Sequence, residues 1–165
     1  PKVGNEQVAV VSPDVGGVKR ADQFRQALSH RLGREIGSAF LEKYRSAGIV
    51  SGEAVVGDVQ DKIAIIIDDL ISTGGTLLRA ARAARRAGAC RVIALVTHGL
   101  FMAGAAEVLA DPAIERLVVT DAVPAFRLAT GPVRDKVDIL PAAPLLAETI
   151  RRLREGRALS DLLVF

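Results

Sequence analysis

Two adjacent carboxylates, Asp68 and Asp69, follow the apolar run Ile63-Ala64-Ile65-Ile66-Ile67, and after Leu70 and Ile71 the chain reads Ser72-Thr73-Gly74-Gly75-Thr76. Like charges side by side at the end of a buried run do not serve packing, so they serve a ligand. The turn after them wants an anion. Gly74 and Gly75 carry no side chain and let a ligand approach backbone N–H groups at a helix start, and Thr73 and Thr76 add hydroxyl donors. Carboxylates facing that anion would repel it, so they point at sugar hydroxyls or at a metal ion. A sugar phosphate meets both demands. Either half of the run alone is an ordinary cap or turn sequence; their conjunction is what specifies binding.

The elements that must position these groups alternate along the chain. Gln7–Ser12 reads as a short apolar strand, and after a Pro-Asp-Val-Gly-Gly turn a helical pattern covers Val18–Leu32. Arg34–Leu41 reads as a second strand. Glu42–Gly57, with three glycines and no sustained period, reads as a mobile loop. Strand Ile63–Ile67, helix Thr76–Ala87, strand Arg91–Val96, helix Ala103–Ala110 and strand Arg116–Val119 then follow. A last helix lies within the segment 143–156 and stops at Gly156, and 158–165 is expected to add an edge strand. Strands alternating with helices predict an α/β fold, an open, mainly parallel sheet with helices on both faces, as one domain over residues 1–165. In such sheets ligands bind at the carboxyl ends of the strands, where Asp68, Asp69 and the turn fall.

Composition narrows the class. A chain of 165 residues, half of them hydrophobic, buries a core of single-domain size. The formal net charge of +3 attracts phosphorylated anions but makes no case for nucleic acid. No apolar run reaches the roughly 18 residues of a membrane span, so no membrane role is expected and a cytoplasmic location is the default. The one cysteine, Cys90, excludes an internal disulfide and reads as a small buried hydrophobe. Arg79, Arg82 and Arg86 share a helix face and read as a solvated or subunit-facing stripe. His30 reads as surface. His98 reads as satisfied by neighbouring backbone or as a ligand contact. There is no Gly-x-x-x-x-Gly-Lys loop, and no plausible adenine pocket.

The run from Ile63 through Thr76 resembles the 5-phosphoribosyl 1-diphosphate loop of the type I phosphoribosyltransferase fold. That resemblance implies that Asp68 and Asp69 hold the ribose 2- and 3-hydroxyls and that Ser72 to Thr76 hold the 5-phosphate. Val8–Phe24, with its Ser-Pro-Asp-Val-Gly-Gly segment, is similar to the ribose-phosphate diphosphokinase family. So are "VTHGLF", "LVVTDAVP" and "APLLAETIRRL", in the same order. The likeness covers nearly the whole chain and is to the carboxyl-terminal half of enzymes about twice its length.

The resemblance implies Mg2+-dependent transfer of diphosphate from ATP to ribose 5-phosphate, within a homo-oligomer of the full-length enzyme. It makes Asp14 a magnesium ligand, although the Pro-Asp-x-Gly-Gly turn is equally an Asx turn. It makes Lys43 and Arg45 catalytic cations on a loop that closes over the transferring group. Two positions depart from the family: Tyr44 stands where an arginine is usual, and Ser72 where an aspartate is common. Two other functions stay open, a phosphoribosyltransferase and a non-catalytic synthetase-like regulatory subunit. The isolated chain is expected to be inactive.

Overall fold

The computed structural model describes residues 4–46, 49–128 and 131–162, with the side chains of 43–53 left aside. The first strand, β1 (Val8–Ser12), is buried along its whole length and leads through a tight turn into α1 (Val18–Leu32). β2 (Gly37–Ser46) pairs in parallel with β1, and β3 (Ile49–Gly57) folds back antiparallel on β2. Then come β4 (Ile63–Ile71), α2 (Gly75–Arg86), β5 (Arg91–Gly99), the short α3 (Ala105–Leu109) and β6 (Arg116–Thr120). The chain continues through α4 (Pro132–Asp135), β7 (Val137–Leu140) and α5 (Ala143–Arg154) into a 3₁₀ turn at Ser160–Leu162.

The seven strands form one sheet in the order β3-β2-β1-β4-β5-β6-β7, parallel except for the β2–β3 pair. The chain winds outward from β1 in one direction and from β4 in the other. With right-handed crossovers, α1 and α2 must then lie on opposite faces. The buried side chains sort accordingly. Ile63, Ile65 and Ile67 face Ala21, Phe24 and Leu28 of α1. Ala64 and Ile66 face Leu77, Ala80, Ala81 and Ala84 of α2, with α3 and α4 on the same side through Leu109 and Val133. The five-residue apolar run is thus a two-sided strand obeying the period of two. The alanines of α2 let that helix lie close on the sheet at high intrinsic propensity.

Several sequence expectations change. Of the expected loop Glu42–Gly57, residues 42–46 end β2 and 49–57 form β3, with 47–48 outside the described residues, because ladder hydrogen bonds to β2 hold an edge strand whose glycines hide any apolar period. β4 and β5 run on past Ile67 and Val96 to Ile71 and Gly99. The edge strand expected at the end is absent from the described residues: Arg152 bonds the Ala158 carbonyl and the Asp161 carboxylate and folds this segment back on α5, and residues 163–165 lie outside the described part. Cys90 is exposed, because it stands one residue ahead of the buried alternation of β5.

Candidate functional site

The strand order reverses between β1 and β4, and at such a switch point the following loops diverge to leave a crevice at the carboxyl edge. The residues singled out from sequence come together there. On the β1 side, the Asp14 carboxylate accepts the Gly17 N–H at 2.8 Å, and the Ser12 hydroxyl donates to the Asp14 carbonyl at 2.6 Å. This is the Asx-type turn, and it starts α1. A Cβ on Gly17 would lie 2.7 Å from the Ser12 Oγ, so only glycine fits there.

On the β4 side, Asp68 and Asp69 share one cation. Arg20, in the first turn of α1, donates from one guanidinium nitrogen to the Asp68 carboxylate at 3.2 Å and from the other to Asp69 at 2.7 Å. Sequence reasoning missed Arg20, because it meets its partners across 48 and 49 residues; its place three residues after the Gly-Gly turn was the available signal. The two acids are not equivalent. The Asp68 side chain is 17% exposed and that of Asp69 60%. Burial pushes the Asp68 carboxyl above the usual aspartate range and the neighbouring Asp69 charge adds to this, while the Asp69 N–H and Arg20 pull against it. An exposed ion pair such as Arg20–Asp69 contributes about 0–1 kcal/mol. The arrangement therefore preorganises the acids more than it stabilises the fold.

Beyond Ile71 the turn closes over Gly74, which has φ +82° and forms the N-cap of α2. A Cβ at Gly74 would lie 2.8 Å from Leu109 Cδ2. No side chain caps this helix end and its first turn holds no acid, so its N–H groups face outward with the positive end of the helix dipole. Residues Leu70 to Leu77 enclose a concavity of about 100 Å³. The segment after β5 ties the turn down: Leu100 N–H bonds the Ile71 carbonyl and Met102 N–H the Ser72 carbonyl, each at 2.9 Å. Sequence reasoning missed that brace as well. Ser72 and Thr73 are exposed, Gly75 and Thr76 half-buried, and the Thr76 hydroxyl accepts from Arg79 at 3.3 Å.

Three candidates stand apart. Lys43 and Arg45 are on β2, in register with Glu53 and Val50 of β3, with an irregularity between Tyr44 and Arg45; their side chains lie outside the described part of the structure. His98, paired with Leu70 across β4 and β5, has a buried Nδ1 with no hydrogen-bond partner among the described residues. The helix stripe resolves partly into a pair, Arg82 with Asp111 at 2.6 Å.

No three His, Cys, Asp or Glu side chains converge on a cation among the described residues. A magnesium ion at Asp14 still fits the donor chemistry, because that ion is commonly held by one or two carboxylates, with waters and substrate phosphate oxygens completing the shell.

An α/β sheet with an uncapped helix start and paired carboxylates at its switch point is suited to phosphorylated ligands. Residues 50–164 match the phosphoribosyl synthetase-associated domain, and the chain belongs to that family. It is 41% identical over 157 residues to the ribose-phosphate pyrophosphokinase of Aquifex aeolicus, covering 95% of this chain and 48% of that enzyme. Against the Haemophilus ducreyi enzyme of the same name it is 40% identical over 152 residues, covering 92% and 46%. The crystal structure of phosphoribosylpyrophosphate synthetase from Mycobacterium smegmatis superposes with a TM-score of 0.75 at 36% identity, over 92% of this chain and 46% of that one. The chain spans about half the length of the curated relatives it matches.

Proposed function

We propose that this chain is the ribose 5-phosphate-binding, carboxyl-terminal half of a ribose-phosphate diphosphokinase, which transfers diphosphate from ATP to the anomeric hydroxyl of ribose 5-phosphate. The observation that carries the reading is the adjacency of the Arg20-held acid pair to the uncapped α2 start. The turn takes the 5-phosphate through the N–H groups around Gly74–Thr76 and the hydroxyls of Ser72, Thr73 and Thr76. Asp68 and Asp69 accept hydrogen bonds from the ribose 2- and 3-hydroxyls. Arg20 bridges and orients both carboxylates before the sugar arrives.

Asp14 would hold magnesium, which supplies charge neutralisation at phosphate oxygens during phosphoryl transfer. Lys43 and Arg45, on the hairpin, add cations over the transferring group. No nucleophile is needed for such a transfer, which is positioning plus electrostatics. ATP binding draws on residues beyond this chain, so the chain alone is inactive. Ser72 and Tyr44, in place of the charged residues usual in the resembled family, favour one second reading, a sugar-phosphate-binding regulatory subunit.

Calorimetry separates a sugar-phosphate site from a bare anion site. Asp69→Asn should weaken ribose 5-phosphate by about ten- to a hundred-fold, the equivalent of one charge-assisted hydrogen bond of about 1.5–3 kcal/mol. It should leave inorganic phosphate unchanged. Equal binding of ribose 5-phosphate by both proteins would refute the assignment.

A further inference from the structure

Among the described residues only two that are not glycine have a positive φ, Asp61 at +56° and Phe101 at +46°. Aspartate tolerates the left-handed region through local hydrogen bonds, whereas a bulky aromatic residue there is a genuine outlier and stores strain. Such a conformation persists only where its surroundings over-determine it. Phe101 is 3% exposed and belongs to the core that also holds Ala105, Leu109 and Leu128. Its ring fills the place a side chain would take at Gly99, where a Cβ would lie 2.4 Å from Phe101 Cε2. Just beyond it, the Ala105 N–H bonds the Met102 carbonyl at 2.9 Å and starts α3.

The outlier stands between the two donors that reach the anion turn. β4 and β5 are in parallel register at Leu70 with His98 and at Ile71 with Gly99. A parallel ladder continued from there would carry donors two residues apart to carbonyls two residues apart. Leu100 and Met102 instead reach the carbonyls of consecutive residues, Ile71 and Ser72, each at 2.9 Å. The left-handed residue between them takes up that one-residue slip. In a planar trans peptide the N–H points opposite to the preceding carbonyl, and no described peptide bond is cis. Holding the Ile71 and Ser72 carbonyls against residues 100–102 therefore turns the N–H groups of Ser72 and Thr73 away from that segment. Neither N–H has a hydrogen-bond partner among the described residues, and both residues line the concavity at the start of α2.

We propose that Phe101 is a positioning residue of the 5-phosphate site, its buried ring locking the left-handed backbone through which residues 100–102 present the Ser72 and Thr73 N–H groups to the anion. This role rests on the sugar-phosphate reading of the turn and adds to it a residue that touches no ligand. Phe101 acts through the two carbonyls, and Gly99 is required because the ring takes its side-chain space. Both supports of the turn then come from one stretch of chain, Gly99 to Leu109: the braced segment beside Ser72 and the Leu109 side chain under Gly74.

Titration of the 165-residue chain with inorganic phosphate and with ribose 5-phosphate, followed by calorimetry and by NMR of the turn amides, tests this. Phe101→Ala and Phe101→Gly remove the same ring, but only alanine is strained at positive φ. Phe101→Ala should weaken both anions by at least about tenfold, the loss of one charge-assisted hydrogen bond. Phe101→Gly should recover at least about threefold of that. A role confined to packing would leave the two variants equal or favour alanine, and that outcome overturns the proposal. Gly99→Ala deletes no core atom and should weaken both anions as Phe101→Ala does; unchanged affinity would overturn it as well. In the ligand-free wild type, scalar couplings should give a positive φ at residue 101 and a hydrogen bond from the Met102 N–H to the Ser72 carbonyl. A negative φ or an absent bond overturns the proposal without any variant having to fold. A wild type that binds inorganic phosphate but not ribose 5-phosphate would end the substrate assignment, while the alanine and glycine comparison on phosphate still decides the role of Phe101. A wild type that binds neither anion would overturn both.

Discussion

Gly74→Ala tests the reasoning about the anion turn without assuming what the turn binds. Two costs add at this position. The backbone is left-handed at φ +82°, where a Cβ costs roughly 1–2 kcal/mol. That Cβ would also lie 2.8 and 2.9 Å from two carbons of Leu109. Leu109 is 1% exposed and cannot swing aside, and overpacking of that kind costs about 1–3 kcal/mol. The expected loss is therefore about 2–5 kcal/mol, a large share of the roughly 5–15 kcal/mol that holds a domain together.

Urea unfolding followed by circular dichroism reads this as a lower midpoint at unchanged slope. A double-mutant cycle then separates the two costs. In a Leu109→Ala background, itself destabilised by about 2–5 kcal/mol, Gly74→Ala should cost only the conformational part. The coupling between the two sites should therefore be at least about 1 kcal/mol in the relieving direction. A single-variant loss under about 0.5 kcal/mol, or full additivity, would show that neither the left-handed turn nor its packing on α3 holds the helix start in place.

Three further outcomes follow from the site. Because burial raises the Asp68 carboxyl, ribose 5-phosphate affinity should begin to fall with acidification above the ordinary aspartate range, and Asp68→Asn should remove that limb while leaving the one due to the ligand's own phosphate, near pH 6. The stability contribution has the opposite sense, present below the ordinary aspartate value of 3.8 and lost as pH rises through the raised folded value; acid unfolding of wild type against Asp68→Asn measures it. Lys43→Ala, placed in a full-length enzyme containing this half, should lower kcat and kcat/KM together with little change in ribose 5-phosphate affinity, whereas a rise in KM at constant kcat would make Lys43 a substrate-binding residue. Magnesium-dependent AMP release from ATP and ribose 5-phosphate should be absent for the 165-residue chain, and robust sugar-dependent release would place the ATP site within these residues.

What could be read from the sequence is what local physics dictates. The run Ile63–Ile67 followed by the Ala-rich α2 segment can only be a buried strand and a helix laid close upon it, so this part of the fold was legible. The hairpin was not, because β3 is a partly exposed edge strand interrupted by Gly52 and Gly57, and its identity lies in its ladder with β2 rather than in its own pattern. β7, four residues with Asp138 inside them, is a strand only because Leu117 to Thr120 of β6 stand beside it. The aliphatic period of α5 correctly marked a helix, yet it implied burial that the single chain does not supply. The positions of Asp68, Asp69 and the turn followed from residue type and spacing. Arg20 and the Leu100–Met102 brace depend on contacts between distant segments, for which one sequence carries no local signature.

The question posed by adjacent carboxylates at the end of a buried strand has its physical answer in α1. Left alone, Asp68 and Asp69 would repel each other, and burial pushes the Asp68 carboxyl above the usual aspartate range. Arg20 works against the repulsion by reaching each carboxylate with a different nitrogen. Its own position is fixed by where α1 begins, and α1 begins where Gly17 sits against Ser12 while its N–H is held by Asp14. The Ser-Pro-Asp-Val-Gly-Gly turn therefore sets the acid pair as well as its own carboxylate. A substitution at Gly17 should disturb Asp68 and Asp69 across the switch point without touching either, because the cation that orients them would move with the helix start.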